Sequence, residues 1–223
     1  MRITKYNQSC LLVETEKERI LIDPGRIGLT DEMINNNWTN IDVILVTHKH
    51  FDHCDVDAIN SIIKRDNSKL YTSREVVNTY SLINPNVVKE NDVFDLENIT
   101  IEVTKAVHGF LTPMKENNGE VKENIGFIID DKKTRLYTTS DTINFNNEYK
   151  CDVLCMPFNG NGLTMGIIDG IGFVKGINPR LLLPVHMQHP NPIMNPDINN
   201  LKRELERENI HYKILRVEES IEI

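Results

Sequence analysis

One short stretch of this 223-residue chain carries a high density of side chains that can bind metal ions. It reads Thr47-His48-Lys49-His50-Phe51-Asp52-His53, so three imidazoles and one carboxylate fall within six residues. The stretch follows the apolar run 41–46, which predicts a buried strand. Neutral imidazole nitrogen and carboxylate oxygen are favoured ligands of zinc and related cations. The stretch therefore predicts a metal site at the point where a strand ends in a loop.

Four further candidates also come at the ends of predicted strands, and they are Asp23, His108, Asp141 and His186. The predicted strands before them span 20–22, 93–107, 134–139 and 180–185. Side chains that close strands gather along one edge of a sheet, which is where open α/β layers place their sites. Seven good ligands at one edge are enough for two cations, and these seven are His48, His50, Asp52, His53, His108, Asp141 and His186.

Length, charge and cysteine usage limit the class of protein. A chain of 223 residues can bury a core without disulfide bonds, and no repeat or linker interrupts it, so we predict one domain over residues 1–223. A net charge of −8 argues against nucleic-acid or membrane partners and leaves a small molecule as the expected substrate. The four scattered cysteines, with no signal peptide or apolar span in the sequence, predict a cytoplasmic protein with reduced thiols.

The segments between the strands supply a few helices and one long polar loop. Three helices are predicted from apolar residues at helical spacing, over 55–63, 73–80 and about 165–175. A fourth is predicted to open at Pro196, because proline is favoured in the first turn of a helix. The polar segment 110–124 is predicted to be a loop beside His108 and is a candidate lid over the site.

The order of these motifs resembles that of the metallo-β-lactamase-fold superfamily of metal-dependent hydrolases. The motifs that carry the resemblance are Leu21-Ile22-Asp23-Pro24-Gly25, the HxHxDH stretch 47–53, His108, Thr139-Ser140-Asp141-Thr142 and Pro184-Val185-His186. The resemblance implies an α/β fold of the four-layer αββα sandwich type, with the metal site at one edge of the two sheets. Within the superfamily the chain looks closest to the L-ascorbate-6-phosphate lactonase-like branch.

The resemblance also implies a role for each candidate ligand. The implied sets are His48, His50 and His108 for a first metal, Asp52, His53 and His186 for a second, and Asp141 as the bridge between them. Asp23 would accept a hydrogen bond from a ligand imidazole and so orient it. The implied cofactors are two divalent metal ions, with zinc favoured and manganese or iron as alternatives.

The activity implied by this resemblance is hydrolysis of an ester-like bond, in a lactone or a phosphoester, by water activated between two metal ions. Asp52 would be the catalytic residue, orienting the attacking hydroxide and passing its proton to the leaving group. Two alternatives remain: a redox di-iron protein, and a metal-binding sensor or scaffold without catalysis. His50 stands where the redox di-iron branch usually carries glutamate, and a binding-only site has little need of Asp52.

Four residues near the motifs have roles that the sequence leaves open or minor. His189 is as consistent with a plain loop residue as with a substrate contact. Asn159 could offer an amide donor to a substrate oxygen. Lys49 is expected to point away from the ligands as a solvated charge. Ser140 occupies a position where many members of the superfamily have glycine.

Overall fold

Two mixed β-sheets face one another in the structure, a computed structural model that describes residues 1–111, 119–145 and 148–223. The first sheet has seven strands, which are β1 (Arg2–Lys5), β2 (Leu11–Glu14), β3 (Arg19–Ile22), β4 (Val43–Val46), β5 (Lys69–Thr72), β6 (Pro85–Val87) and β13 (Ser220–Glu222). Their spatial order is β13-β1-β2-β3-β4-β5-β6. Strands β3 to β6 run parallel, and the pairs at the β13 side are antiparallel.

The second sheet has six strands, which are β7 (Val93–Asp95), β8 (Thr100–Ala106), β9 (Asn124–Asp130), β10 (Arg135–Thr138), β11 (Val153–Pro157) and β12 (Leu181–Val185). Their spatial order is β12-β11-β10-β9-β8-β7. Strands β10, β11 and β12 are parallel, whereas β7 to β10 pair antiparallel. The carboxyl ends of β8, β10, β11 and β12 therefore meet at one edge of this sheet.

Within the described ranges, four α-helices cover the outer faces of the sheets: α1 (Val56–Asp66), α2 (Arg74–Thr79), α3 (Ile167–Ile177) and α4 (Ile198–Arg207). A π-helical turn (Met33–Asn37) and a 3-10 turn (Pro192–Met194) complete the helical segments of the described residues. Helix α4 begins at Ile198 rather than at Pro196, which corrects the sequence-based prediction. The reason is the cap: the Asp197 carboxylate accepts the backbone N–H groups of Asn199 and Asn200.

The packing explains the layered arrangement. Apolar side chains of both sheets, such as Ile22 and Leu45 from one and Val103 and Phe127 from the other, fill the space between them. On the outer face of the first sheet, Leu21 and Ile44 pack with Ile59 and Ile62 of α1. On the outer face of the second sheet, Leu154 and Leu182 pack with Phe173 of α3 and Leu201 of α4. The fold is therefore the predicted αββα sandwich. None of the helices within the described ranges is long and apolar enough to cross a membrane.

Candidate metal centre

The stretch after β4 supplies the largest share of the centre. Strand β4 is buried throughout, and Thr47, His48 and His53 beyond it are fully buried as well. The backbone N–H groups of His53 and Cys54 both donate to the carbonyl oxygen of His50, at 2.9 and 3.0 Å. This tight turn allows residues that are neighbours in sequence to face one common centre.

All seven residues predicted as ligands lie together in the structure. Their candidate ligand atoms form three groups, and within each group these atoms lie within 4.8 Å of one another. The groups are His48 with His50 and His108, His48 with His53 and Asp141, and Asp52 with His53 and His186. Because His48 and His53 each belong to two groups, the three groups form one continuous centre.

Asp141 lies in the middle of this centre. Its Oδ2 atom lies 3.2 Å from Nε2 of His186, 3.4 Å from Nε2 of His53 and 3.9 Å from Nε2 of His108. Its backbone is held by Asn124, whose side-chain amide donates to the Asp141 carbonyl oxygen at 2.6 Å. A carboxylate surrounded in this way can serve cations on both sides of it.

Ser140, directly before Asp141, has a left-handed backbone conformation with φ of 62°. Glycine suits such a position because a Cβ atom is strained there, which gives the physical reason for glycine at this point of the motif. The serine hydroxyl donates to Oδ1 of Asn124 at 2.7 Å and lies 3.4 Å from Nδ1 of His48. The hydroxyl thus offsets the backbone strain with a hydrogen bond that supports the residues around Asp141.

Asp23 is fully buried behind the centre and accepts three hydrogen bonds. Its Oδ1 accepts the backbone N–H of Thr47 at 2.8 Å, and its Oδ2 accepts the Thr47 hydroxyl at 2.9 Å. Oδ2 also lies 2.8 Å from Nδ1 of His53. This contact turns Nε2 of His53 towards the centre, which is the arrangement that the predicted role of Asp23 as an orienting acceptor requires.

Burial governs the protonation of three of the imidazoles. It lowers the pKa of His48, His50 and His108. A lowered pKa keeps an imidazole neutral near pH 7, and the neutral ring is the form that binds metal ions. These three side chains are therefore ready to act as ligands without first losing a proton.

The other side of the centre has a different charge balance. Burial alone would lower the pKa of His53, but Asp141, Asp23 and Asp52 together outweigh burial and raise that pKa well above its ordinary value. Burial likewise opposes the protonation of His186, and the same carboxylates of Asp141 and Asp52 raise its pKa. The imidazoles in turn hold the pKa values of Asp52 and Asp141 below their usual range, although burial acts in the opposite direction.

Two buried atoms of the centre have no hydrogen-bond partner among the described residues. They are Nε2 of His53 and Oδ1 of Asp141. An unsatisfied buried polar atom costs about 1–3 kcal/mol, so such atoms in a native protein need an explanation. A cation bound between them would satisfy both, and imidazole nitrogen with carboxylate oxygen is the donor set that zinc and its neighbours accept. The residues of the centre therefore fit a bound metal.

Comparison with known proteins agrees with this chemistry. A family model described as "Beta-lactamase superfamily domain" matches residues 2–186. The chain belongs to this family. A relative in the same superfamily, the UPF0173 metal-dependent hydrolase of Geobacillus thermodenitrificans, is 29% identical over 209 residues, which is 86% of this chain and 88% of the relative. The match places the chain in a family that includes metal-dependent hydrolases.

Solved structures of similar fold extend the comparison. Igni18, a metallo hydrolase from Ignicoccus hospitalis, has a TM-score of 0.79 and 20% identity, covering 99% of this chain and 97% of its own. The isothiocyanate hydrolase from Delia radicum gut bacteria has a TM-score of 0.78 and 18% identity, covering 100% and 99%. At these identities the structures support the fold alone. The assignment to the lactonase-like branch of the superfamily stays a prediction.

Within the HxHxDH motif of this superfamily member, the prediction for Lys49 is wrong. Lys49 is buried rather than solvated, and its Nζ lies 2.9 Å from Oε1 of Glu75. Oε2 of Glu75 accepts the backbone N–H groups of Lys122 and Glu123 at 2.8 and 2.9 Å. The buried ion pair therefore ties the stretch of candidate ligands after β4 to the segment that leads into β9.

Asn159 and His189 both hold loops in place. The amide nitrogen of Asn159 donates to the carbonyl oxygen of His186 at 2.8 Å and also to that of Met194. Both of its N–H groups are engaged, so Asn159 fixes the His186 segment rather than offering a free donor to a substrate. Nδ1 of His189 accepts the backbone N–H of Asn191 at 3.0 Å, as a loop histidine would.

Gln8 is a residue of the centre that sequence reasoning missed. It is buried, and its side-chain nitrogen lies 3.3 Å from Oδ2 of Asp52 and 3.2 Å from Nδ1 of His186. Its position just before β2 places it at the same sheet edge as the ligands. The polar run Asn7-Gln8-Ser9 between two apolar strands was the one available signal.

The predicted lid over 110–124 is only partly described, because residues 112–118 lie outside the described residues. Its flanks contact the centre. The carbonyl oxygen of Gly119 lies 2.7 Å from Nε2 of His50. Gly109 packs so closely on the loop after β11 that a Cβ atom there would lie 1.8 Å from the carbonyl oxygen of Gly162, so only glycine fits.

Proposed function

We propose that this chain is a dinuclear metal-dependent hydrolase that cleaves an ester-like bond, in a lactone or phosphoester, of a small molecule. The observation that supports this best is the buried Asp141 carboxylate between two groups of ligands. The first ligand set is His48, His50 and His108, and the second ligand set is Asp52, His53 and His186. Asp141 would be a ligand shared by both sets, so the centre has enough ligands for two cations.

Two divalent cations, zinc or alternatively manganese or iron, would be held by these two sets. When bound, such cations polarise a carbonyl or phosphoryl oxygen and lower the pKa of water to about 7. The chain itself supplies neutral imidazoles in the first ligand set, because burial lowers the pKa of each. It supplies compensating negative charge in the second set through Asp52 and Asp141.

Asp52 is the residue we propose to handle the proton. Its carboxylate is the more exposed of the two acidic ligands, with 13% of the side chain accessible against 6% for Asp141. The neighbouring His53 and His186 hold its pKa below the usual range despite burial, so it is an ionised acceptor at neutral pH. It can orient a water, take its proton and return that proton to the departing oxygen of the product.

Further features support a small-molecule enzyme of the cytoplasm without nucleic-acid or membrane partners. The net charge of −8 works against binding to anionic polymers and membrane surfaces. All four cysteines are free thiols. The metal-dependent hydrolase named among the relatives supports the reaction class, while the ester-like substrate rests on the chemistry proposed for Asp52.

The test is metal analysis followed by a substrate screen. Protein purified without chelator should contain close to two equivalents of metal, and the metal-loaded form should hydrolyse members of a panel of lactones, phosphodiesters and thioesters. Chelator should abolish that turnover and added metal should restore it. Two bound metals with no turnover of any substrate would favour the sensor or scaffold alternative. Redox-active iron would favour the di-iron alternative.

A further inference from the structure

Lys5 is a buried cation that the proposed chemistry does not use. Its side chain is 1% exposed and lies beneath the edge that carries the centre. The titratable groups that influence it are the thiols of Cys10 and Cys155, and no carboxylate forms an ion pair with it among the described residues. Burying an ammonium group without a counter-ion costs free energy. A lysine buried in this way is therefore expected to have a role that offsets the cost. Burial lowers the pKa of Lys5 to about 8.

The hydrogen bonds of Lys5 lead towards the segment that carries His186. Its Nζ donates to the carbonyl oxygen of Tyr6 at 2.5 Å and to Oε1 of Gln188 at 2.7 Å. Gln188 lies two residues after His186. The backbone N–H of Gln188 donates to Oε1 of Gln8 at 3.2 Å. The ammonium group thus fixes Gln188, and Gln188 fixes the side-chain amide of Gln8.

Gln8 completes the connection to the metal ligands. Because its Oε1 accepts from Gln188, its amide N–H groups must face the opposite way, towards Asp52. Nε2 lies 3.3 Å from Oδ2 of Asp52, the oxygen that also lies 3.1 Å from Nε2 of His186. The carbonyl oxygen of Gln8 accepts the backbone N–H of His186 at 2.9 Å. One buried residue therefore contacts two of the three members of the second ligand set.

We infer that Lys5, Gln188 and Gln8 form a hydrogen-bonded chain of positioning residues that holds Asp52 and His186 in place for the second metal. The inference rests on the proposed function in one respect, that a second metal binds. Among the described residues, this hydrogen-bonded chain makes no contact with the first ligand set, because each contact of Gln8 with the centre goes to Asp52 or His186. Its effect should therefore be confined to the second metal.

A merely structural role for these residues makes a different prediction. If they only stabilised the fold, their loss would lower the melting temperature and weaken both metals alike. Under a positioning role, substitution weakens binding of the second metal selectively. The effects of substituting two residues of the hydrogen-bonded chain should then not be additive. Hydrogen-bonded residues behind metal ligands typically contribute 10–100-fold to affinity, which sets the expected scale.

The experiment is a calorimetric titration of Co²⁺ into the metal-free, full-length protein, repeated by visible absorption of the bound cobalt. In Gln8→Ala the second equivalent should bind about 10–100-fold more weakly, and its absorption bands should change. The first equivalent should keep its affinity within about twofold and its spectrum. Lys5→Met and Gln188→Ala should weaken the second equivalent by a smaller factor in the same direction. A double variant of any two of these residues should bind the second equivalent no more weakly than the weaker-binding of its two single variants, because either substitution already breaks the hydrogen-bonded chain.

Lys64→Met is the matched control, because Lys64 is exposed on α1 and is not part of the hydrogen-bonded chain. This variant should leave the affinities for both equivalents unchanged. If Lys5→Met fails to fold, Gln188→Ala tests the same link without altering a buried charge. Wild-type affinity for the second equivalent in Gln8→Ala overturns the inference while the proposed function stands. A wild-type protein that binds only one equivalent overturns the dinuclear function as well.

Discussion

The two ligand sets differ in how the fold holds them. In the first ligand set two of the three imidazoles are supported by backbone carbonyls: Gly119 faces Nε2 of His50 and Gly109 faces Nδ1 of His108, each at 2.7 Å. Nδ1 of His48, the third, lies 3.0 Å from the Thr47 hydroxyl. In the second ligand set the supporting contacts are side chains, with Asp23 on His53 and Gln8 on Asp52. Side chains can be replaced one at a time and carbonyls cannot. Substitution behind the second set should therefore weaken it while leaving the carbonyl contacts of His50 and His108 in place.

The charge of the two sets differs in the same way. Burial lowers the pKa of all three imidazoles in the first set, so they stay neutral. In the second set carboxylates outweigh burial and raise the pKa of His53 and His186. The first set is a ready-made neutral site, whereas the second is a balanced group of charges. This difference supports the proposal that proton transfer takes place on the side where the carboxylates lie.

The largest effect is expected from Asp52, the carboxylate of the second set that we propose to be catalytic. Asp52→Ala should reduce turnover of any active substrate by about 10²–10⁴-fold, the usual contribution of a positioned acid or base. Rates should be measured with saturating metal, so that weaker binding is not mistaken for slower chemistry. Asp57→Ala, on the exposed face of α1, is the control. Unchanged turnover in Asp52→Ala would remove Asp52 from the mechanism.

Asp23→Asn sharpens the comparison by changing the acceptor that contacts His53 of the second set. The amide keeps the size of the carboxylate but loses the charge that orients Nδ1 of His53. Affinity for the second metal should fall about 10–100-fold, with the first metal little changed. Competition with a chromogenic chelator measures both. Equal losses at both metals would show that the two sets are not separable.

The stability of the metal-free protein should depend on pH through Lys5, the buried lysine behind the second ligand set. The pKa of Lys5 falls from 10.5 to about 8 on folding, so between these values the unfolded chain holds more protons than the folded one. Lys5 therefore lowers the free energy of unfolding below pH 8, and this loss is relieved as the pH rises towards 10.5. From pH 8 to 10 the metal-free wild type should gain on the order of 2 kcal/mol in unfolding free energy relative to Lys5→Met. Urea unfolding at each pH measures this, and parallel curves for the two proteins would argue against it.

The smallest effect is expected at Ser140, between the two sets. In Ser140→Gly, relief of the left-handed backbone, worth about 1 kcal/mol, offsets the lost hydrogen bond to Asn124, worth about as much. The net change in unfolding free energy should stay below about 1 kcal/mol. Ser140→Ala loses the hydrogen bond without relieving the backbone and should be destabilised by about 1 kcal/mol. Equal stability of the two variants would contradict this account.

Some sequence-based predictions needed only local information. Helix α1 was predicted from its apolar spacing, and Asp55 caps it by accepting the N–H of Ala58. Helix α4 shows the limit, because Asn195, Pro196 and Asp197 all resemble helix starts and only the hydrogen bonds of Asp197 select the start. Lys49 shows a larger limit. Its partner Glu75 lies in helix α2, and nothing near Lys49 in the sequence indicates a buried ion pair.

The sequence by itself determined which candidate ligands come together, their order in the chain and their common edge. It could do so because strands ending in a polar residue are recognisable locally, and parallel strands bring their ends together. Only the tertiary structure decided which residues stand behind the ligands. Gln8 is 44 residues from Asp52 and 178 from His186. Contacts between residues so far apart in the chain produce no recognisable pattern in the sequence. The same is true of the central place of Asp141, which depends on how the two sheets pack.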